Sequence, residues 1–317
     1  METLNYKSQI TIDTQTINKN FKLIHQLHAW GILIIPLIGS IFAIRLAFKF
    51  GISWFEISIL SLMYLLTIIG ISVGFHRYFS HNSYSTHNSI KIILAILGSI
   101  ACQGPLIYWV SNHRRHHKYS DRPEDTHSPY VNKDKVLSKL EGIWYAHSGW
   151  TFENEITNTF LFAKDLLKDK KLNKINKLYF LWMFLSFLIP TILGGILMGN
   201  TYGLLMGFLW GGCVRLFLTY HFTNSINSIT HLYGNRPFNT KENSTNNIWL
   251  AIPTGGEAWH NNHHAFPNSA IFGLQWWQID IGGFIIRILE FLKLVWNVKC
   301  PTSNAIDAKI NLLQEKK

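Results

Sequence analysis

The sequence predicts an all-α integral membrane protein in which four transmembrane helices carry a helical cap on one side of the membrane. Four apolar blocks of about 20 residues predict the crossings, because that length spans the hydrocarbon core of a bilayer. Charged residues make up only 15% of the 317 residues, whereas hydrophobic residues make up 48%. Soluble domains carry about 25% charged residues, so the composition also favours a membrane protein.

The four apolar blocks cover residues 29–48, 54–75, 178–198 and 202–220. Very short turns separate the first block from the second and the third from the fourth, which predicts two helical hairpins. Four crossings then place both termini on the same side of the membrane. We interpret the whole chain, residues 1–317, as one domain whose cap consists of residues 76–177 and 221–317.

The distribution of lysine and arginine predicts the orientation of this domain. Basic residues crowd the segment 76–177, whereas the turns on the opposite side hold only Lys49. Cytosolic loops of membrane proteins carry such an excess, so we expect the cap and both termini to be cytosolic. The net charge of +11 suits anionic lipid or an acidic protein partner. No nucleic-acid-binding motif accompanies it, and we expect no nucleic-acid partner.

Two further apolar segments are expected not to cross. Residues 90–101 are too short for a crossing and predict a short or re-entrant helix that returns through Gly104 and Pro105. Residues 281–295 carry charged side chains at helical spacing, which is typical of an amphipathic helix on the membrane surface.

Histidine clusters are the main chemical signal among the 15 histidines. The clusters are His76 and His81; His113, His116 and His117; and His260, His263 and His264. Offsets of three and four share one face of a helix, so each of the last two clusters presents its imidazoles together. An offset of five does not, so the first pair can converge only if the helix ends or bends between them. Imidazole is a common ligand of transition metals, and eight histidines exceed a tetrahedral zinc site, which predicts two metal ions.

These motifs resemble those of the membrane fatty acyl desaturase family, especially its acyl-CoA Δ9, stearoyl-CoA desaturase-like branch. The similarity extends from about residue 28 to residue 294. It rests on the strings GFHRYFSH (74–81), the segment 109–121 with HRRHH, NSITH (227–231) and GEAWHNNHHAFP (256–267).

The resemblance implies two Fe²⁺ ions and O₂ as co-substrate. By position, the first iron would be held by His76, His81, His113, His117 and His263. The second would be held by His116, His231, His260 and His264, with Asn227 reaching it through a water. The remaining histidines, His25, His28, His87, His127, His147 and His221, are expected to be structural.

The acyl substrate should lie in a narrow apolar tunnel walled by the first two membrane helices and the segment 90–101. Tyr64 and Ile68 are expected on its wall, with Ile68 about 12 Å below the metals at 1.5 Å per residue. We also expect Trp109 and Trp150 to contact the substrate.

The sequence leaves the identity of the acyl carrier open. In acyl-CoA relatives a basic pair follows the Gly-Trp at 149–150, but here the corresponding segment carries Glu153 and Glu155. Arg114 and Arg115 remain as candidates for phosphate contacts, or as a basic face near lipid headgroups. The carrier could therefore be CoA, an acyl carrier protein or a lipid.

The expected function is insertion of a cis double bond into a carrier-linked acyl chain. The same metal core would also support an acetylenase or a hydroxylase. No fused haem motif is present, so a separate ferredoxin or cytochrome b5 is implied as electron donor. A metal transporter is disfavoured, because transporter sites lie near the membrane midplane and these clusters lie beyond the helix ends.

Overall fold

The computed structural model describes residues 12–314 of the chain, so the predicted placement of the first and last residues lies outside its described part. In chain order its helices are α1 (Lys19–Phe50), α2 (Trp54–Ile68, continued as a π-helix over Ile69–Ser80), α3 (Asn88–Ser99), α4 (Leu106–Tyr119), α5 (Lys139–His147), α6 (Thr159–Phe162), α7 (Lys164–Lys168), α8 (Lys170–Lys177), α9 (Tyr179–Met198), α10 (Thr201–Met206, continued as a π-helix over Gly207–Val214), α11 (Arg215–Ser228), α12 (Ile248–Ala251), α13 (His260–Ala265), α14 (Ile281–Phe291) and α15 (Ser303–Gln314). Short 3₁₀ helices cover Gly149–Phe152 and Ile229–His231.

Three small antiparallel strand pairs tie the cap together. β1 (Thr14–Thr16) pairs with β5 (Glu155–Thr157), β2 (Ser85–Thr86) with β6 (Val295–Trp296), and β3 (Val131–Asn132) with β4 (Lys135–Val136). The first two pairs join distant parts of the chain, so they hold the cap in a defined position over the membrane helices.

Within residues 12–314, four continuous helices are long and apolar enough to cross a membrane, which confirms the predicted all-α membrane architecture. They run over Lys19–Phe50, Trp54–Ser80, Tyr179–Met198 and Thr201–His231, and each corresponds to one predicted span, the third beginning one residue later than predicted. Three of them extend beyond the predicted spans. Hydropathy marks where polar side chains begin, whereas the backbone hydrogen bonds of the helix continue past that point. These extensions carry His76, Asn227 and His231 into the cap.

The inner and outer helices differ in how much of their apolar surface the protein covers. Only 22% and 17% of the apolar windows of the first and third crossing helices are buried, against 50% and 56% for the second and fourth. The first and third helices therefore present most of their apolar surface outward, as lipid-facing helices do. The second and fourth form the centre and lead directly to the histidines.

Each hairpin turn has a local chemical cause. Gly51 takes a positive φ of 82° after α1, and Ser53 with Glu56 forms a capping box at the start of α2. This box explains why Glu56, a carboxylate in an apolar block, is tolerated there. In the second hairpin Gly199 adopts the left-handed conformation, and the Asn200 side chain accepts a bond from the Gly203 N–H at 2.9 Å.

Glycines let the helices of the second hairpin approach closely. Gly203, Gly207 and Gly211 recur every four residues along α10 and its π-helical continuation. A Cβ at Gly207 would lie 3.1 Å from the Thr191 Cα of α9 and would collide with the Pro190 carbonyl. Small residues at this spacing are typical of helix contacts inside membranes.

The two segments expected not to cross are both short helices. α3 packs along the π-helical part of the second crossing helix, with the Gly98 backbone against the Phe75 ring. The chain then reverses at Gly104, where φ is 97°, and Pro105 caps α4. α14 leaves Phe284 and Phe291 exposed, beside Trp276 which is 96% exposed. This exposed apolar face suits the membrane-surface position that the sequence predicts for it.

Candidate metal centre and adjoining cavities

Nine histidines converge where the second and fourth crossing helices enter the cap. They form one group of five, His76, His81, His113, His117 and His263, and one group of four, His116, His231, His260 and His264. Within each group the ligand atoms all lie within 4.8 Å of one another. This division is the one that the resemblance implies.

A π-helix brings His76 and His81 together. Ile69–Ser80 is π-helical, and the N–H of His81 bonds the carbonyl of His76 at 3.3 Å. Because a π-helix closes its hydrogen bonds from i to i+5, residues five apart are one turn apart. Their ring centroids are 5.0 Å apart. The helix does end at Ser80, as expected, but the convergence results from π geometry rather than a bend.

α4 and α13 each serve both groups. On α4, His113 and His117 face the group of five, while His116 faces the group of four. On α13, His263 joins the first group and His260 and His264 join the second. Adjacent helix positions point about 100° apart, so one short helix can supply both groups.

The spacing of the imidazole nitrogens fits bound metal ions. Nε2 atoms of neighbouring rings face each other at 2.9 Å (His76–His263), 2.8 Å (His81–His113), 2.8 Å (His117–His263), 3.0 Å (His231–His260) and 3.1 Å (His260–His264). Two ligand nitrogens about 2.1 Å from one ion and at a right angle lie about 3 Å apart.

Buried carboxylates fix which nitrogen carries the proton. Nδ1 of His76 contacts Glu257, and Nδ1 of His116 lies 2.9 Å from Asp125. Nδ1 of His231 lies 3.1 Å from Asp121, and Nδ1 of His264 lies 3.5 Å from Glu242. A carboxylate acceptor places the proton on Nδ1 and leaves the Nε2 lone pair free for a metal.

Facing Nε2 lone pairs cannot hydrogen-bond each other, so a cation is the partner that suits them. The buried Nε2 of His116 has no hydrogen-bond partner in the described part of the chain. Burial, reinforced by neighbouring imidazoles, lowers the pKa of His113, His117, His260 and His263 well below its usual value. These rings are therefore neutral and able to ligate at neutral pH. The donor set fits two metal ions.

A cavity of about 340 Å³ leads from this cluster towards the membrane. At the level of the histidines it is lined by His113, His127 and Asn227. Its floor is formed by Ile32, Cys102 and Tyr220, which pack in one apolar cluster. Asn227 and Tyr220 are seven residues apart on one helix, so the floor lies about 10 Å below the histidines.

The upper wall of the cavity carries hydrogen-bonding side chains and no formal charge. Tyr108, Asn112, Asn176 and Asn224 lie along it, and no lysine, arginine, aspartate or glutamate lines the cavity in the part of the chain that the structure describes. Gln103 lies lower, beside Cys102, and donates to the Thr219 carbonyl at 3.3 Å. The cavity is thus polar near the cap and apolar at its floor.

Two of the predicted substrate contacts lie on this cavity and two do not. Trp109 stacks on His113 with ring centroids 5.2 Å apart, and Trp150 packs on His127; both line the cavity. Tyr64 instead donates a hydrogen bond to the Pro253 carbonyl, and Ile68 packs against Gly255. The wall comes from α1, residues 102–113, several residues between 150 and 176, and the end of α11. Tyr64 and Ile68 therefore do not line this cavity, and their contact with substrate stays a prediction.

Arg114 and Arg115 do not face the cavity either. Arg114 pairs with Asp165 at 2.7 Å and donates to the carbonyls of Phe79 and Phe162. Arg115 is buried and donates to the Glu124 carbonyl at 2.8 Å. The protein occupies most of their donors and neither side chain lines the cavity, so the structure does not support a role in binding substrate phosphates there.

Several residues of the site were not predicted from the sequence. The four carboxylates are one such set, although Asp121 and Asp125 follow HRRHH closely and Glu257 precedes His260 by three. His127 was expected to be structural, but it lines the cavity with its ring centroid 4.4 Å from that of His116. Burial and the nearby His116 lower its pKa to about 3. His25 and His28 also line the cavity, whereas His147 and His221 pair with each other at 3.0 Å.

Comparisons with known proteins agree with this architecture. The fatty acid desaturase family matches residues 52–281. A hex-5-enoyl-[acyl-carrier protein] acetylenase of Moorena producens (strain JHB) is 47% identical over 96% of each chain. An acyl-CoA C20 Delta5-desaturase of Anemone leveillei is 32% identical over 93% of this chain and 89% of its own. An sn-1 stearoyl-lipid 9-desaturase of Anabaena variabilis is 35% identical over 83% of this chain and 89% of its own.

The names of these relatives specify three different acyl carriers and several positions along the acyl chain. They therefore establish the family but not the acyl-CoA Δ9 specificity that the sequence motifs suggested. The protein is a membrane oxidoreductase, and it belongs to the fatty acid desaturase family.

Proposed function

We propose that this protein is a di-iron enzyme that removes two hydrogens from neighbouring carbons of an acyl chain carried as a thioester on an acyl carrier protein. The observation that carries the proposal is the cavity that joins the histidine cluster to an apolar floor. It would hold an acyl tail below the metals and its polar carrier arm above them.

Iron is the metal that suits the donor set and the reaction. Imidazole ligands accept iron, zinc, copper or nickel, but zinc has no redox chemistry. No side chain oxidises an unactivated CH₂ group, so a redox metal must supply that step. Two irons in these groups would provide the O₂ chemistry, and His76, His81, His113, His117 and His263 would hold one. His116, His231, His260 and His264 would hold the other, with Asn227 facing it from the cavity wall.

The chain's own residues would position the substrate. Packing of the tail on Ile32, Cys102 and Tyr220 sets which carbons lie beside the histidines, because the floor stops the tail about 10 Å below them. Asn176, Asn224 and similar side chains would bind the thioester and amide groups of a pantetheine arm.

An acyl carrier protein is favoured over CoA as the carrier. The nucleotide of CoA carries several phosphates, which need cations, yet Arg114 and Arg115 are occupied and the cavity wall is uncharged. Glu153 and Glu155 lie where acyl-CoA relatives carry basic residues, and both pair with Lys133 at 3.5 Å. The similarity to a carrier-protein acetylenase over 96% of the chain supports the same choice.

The reaction removes one hydrogen from each of two neighbouring carbons. It converts a single bond into a double bond, or a double bond into a triple bond. The acetylenase relative favours testing both. We further propose that the cap is cytosolic and that a separate ferredoxin or cytochrome b5 delivers the electrons, since the cap carries the basic excess of the chain.

Product analysis tests this proposal. Purified enzyme with reductant and O₂ would receive matched hexanoyl, hex-5-enoyl and octadecanoyl chains on acyl carrier protein and on CoA. We expect loss of two hydrogens from the shorter chains on acyl carrier protein, and no product from the His116→Ala variant. Turnover of octadecanoyl-CoA alone would instead favour an acyl-CoA desaturase, and gain of one oxygen would favour a hydroxylase.

A further inference from the structure

We propose that a second cavity at the histidine cluster is the docking site for an acidic one-electron carrier protein. This inference rests on the proposed function, which requires an external donor. The cavity has a volume of about 640 Å³. It shares no lining residue with the 340 Å³ cavity that is proposed to hold the acyl tail, which is called the acyl cavity below. It is lined by His81, Arg114, His117, residues 238–242, His264, Ala265, Pro267, Asn268 and Lys309.

The floor of this donor cavity reaches both histidine groups. His117 belongs to the group of five and His264 to the group of four, and both are half-buried. Their rings stack at the floor with centroids 4.5 Å apart and an interplanar angle of 19°. An electron that arrives here meets an imidazole of each group without crossing the acyl cavity.

The rim of the donor cavity is a loop that the protein holds in place. Arg236 donates to the Ser244 carbonyl at 2.9 Å and to the Glu242 carbonyl at 2.6 Å. Asn261 holds Phe238 through its backbone N–H at 2.8 Å and its carbonyl at 3.2 Å. A rim that is already ordered loses little conformational entropy when a partner binds.

The unpaired charge at this mouth is positive. Within residues 12–314, no carboxylate pairs with Lys241 or Lys309, and both are exposed. Lys309 donates to the Ala265 carbonyl and lies 4.5 Å above the Phe266 ring, which fixes its position. Glu242 turns inward to His264, and Arg114 is paired with Asp165. Two exposed lysines on this cavity, one of them held in place, suit a partner with an acidic face, which would be steered towards them.

The electron balance sets what the partner must do. Removal of two hydrogens from the acyl chain supplies two electrons to O₂, and reduction to two waters needs two more electrons and two protons. At each of two encounters a donor protein would be oxidised by one electron, which the metals held by the two histidine groups would accept. The carrier must therefore dock and leave twice per turnover, which favours a charge-steered, reversible contact over a large apolar one.

Charge reversal at the rim tests the docking site. The double variant Lys241→Glu/Lys309→Glu is compared with Lys170→Glu/Lys171→Glu, which reverses two exposed lysines of α8 outside the donor cavity. The full-length proteins are studied in nanodiscs of neutral lipid. Reduced plant-type ferredoxin and the soluble domain of cytochrome b5 are the probes, and both binding and donor oxidation are measured over a range of salt.

We expect the rim variant to lose about tenfold or more in affinity for at least one of the two probes, and the α8 variant to lose less than about twofold. Reduction by dithionite, which needs no docking, should be equal in both. The proposal is overturned if the rim variant binds both probes like the wild type, or if it loses only binding to anionic lipid vesicles. Wild-type enzyme that binds the probes but forms no product even with dithionite would refute the proposed function instead, because binding is measured separately.

Discussion

Replacing Arg215 with methionine should destabilise the membrane part of the protein, because a backbone carbonyl would lose its donor. Arg215 begins α11 and has no solvent exposure. Its guanidinium donates to the carbonyls of Gly211, Ile100 and Ser186 at 3.0, 2.9 and 2.8 Å. Ser186 lies four residues before Pro190, which has no N–H to complete the helical bond. Arg215 supplies the missing donor, as neighbouring helices do for such groups in membranes.

The expected size of the effect follows from which carbonyls stay paired. The Ile100 carbonyl keeps the Ser186 hydroxyl at 2.7 Å, and the Gly211 carbonyl lies inside a continuous helix. The Ser186 carbonyl is left without a donor, which costs about 1–3 kcal/mol. Methionine fills similar space and buries no charge, which offsets part of that cost. We therefore expect a net loss of about 1–2 kcal/mol in the free energy of unfolding.

A second substitution, at Pro190, tests whether the Ser186 carbonyl is the group that Arg215 stabilises. Pro190→Ala restores an N–H for the Ser186 carbonyl and keeps the Cβ that packs against Gly211. In a double-mutant cycle it should recover about 1 kcal/mol in the Arg215→Met background but not in the wild type. Unfolding in mixed detergent micelles measures all four proteins, with exposed Arg45→Met as the control. Equal stability of Arg215→Met and Arg45→Met, or the same effect of Pro190→Ala in both backgrounds, would contradict this role of Arg215.

Three further changes probe the site and the packing. Glu257→Gln should lower metal affinity about tenfold or more, because the neighbouring imidazole loses the acceptor that orients it. Metal analysis of the purified protein checks this, and exposed Glu290→Gln should retain full metal. Tyr220→Ala should deepen the acyl cavity and shift the products towards longer chains; an unchanged chain-length profile would show that Tyr220 does not limit it. Gly207→Leu should abolish the yield of folded protein in size-exclusion chromatography, whereas Gly31→Leu, with open space around it, should fold; equal yields would contradict the packing argument.

The membrane helices and the histidines were predictable because their signals are local. A crossing needs a long apolar run, and such runs are visible in the sequence wherever they occur. The offsets within residues 113–117 and 260–264 put imidazoles on related faces of a helix. These patterns depend on neighbours in the chain, so tertiary structure did not have to be known. The exit of each central helix into the cap then followed from where the apolar runs stop.

The acyl cavity was not predictable in the same way, because its walls come from distant segments. Tyr64 lies at the right depth on the second helix, but its side of that helix packs on residues 253–255. Arg115 has the right charge, but the cap buries it against the Glu124 carbonyl. The π-helix before His81 was also invisible, because a change from i+4 to i+5 hydrogen bonding alters no hydrophobic pattern.

The buried polar groups of this apolar chain are each stabilised by a specific partner, and the same rule applies to the histidine cluster. Arg215 is tolerated in the membrane because a proline leaves a carbonyl free for it. Glu257 and Asp125 are tolerated in the cap because imidazole Nδ1 atoms face them. Because the carboxylates accept the Nδ1 protons in hydrogen bonds, the Nε2 atoms of these rings keep free lone pairs, and they face other Nε2 atoms in the cluster. A buried polar group costs free energy until a partner satisfies it, and one bound metal ion would satisfy several of these lone pairs at once. The carboxylates that orient four of the rings thus also favour metal binding by the cluster.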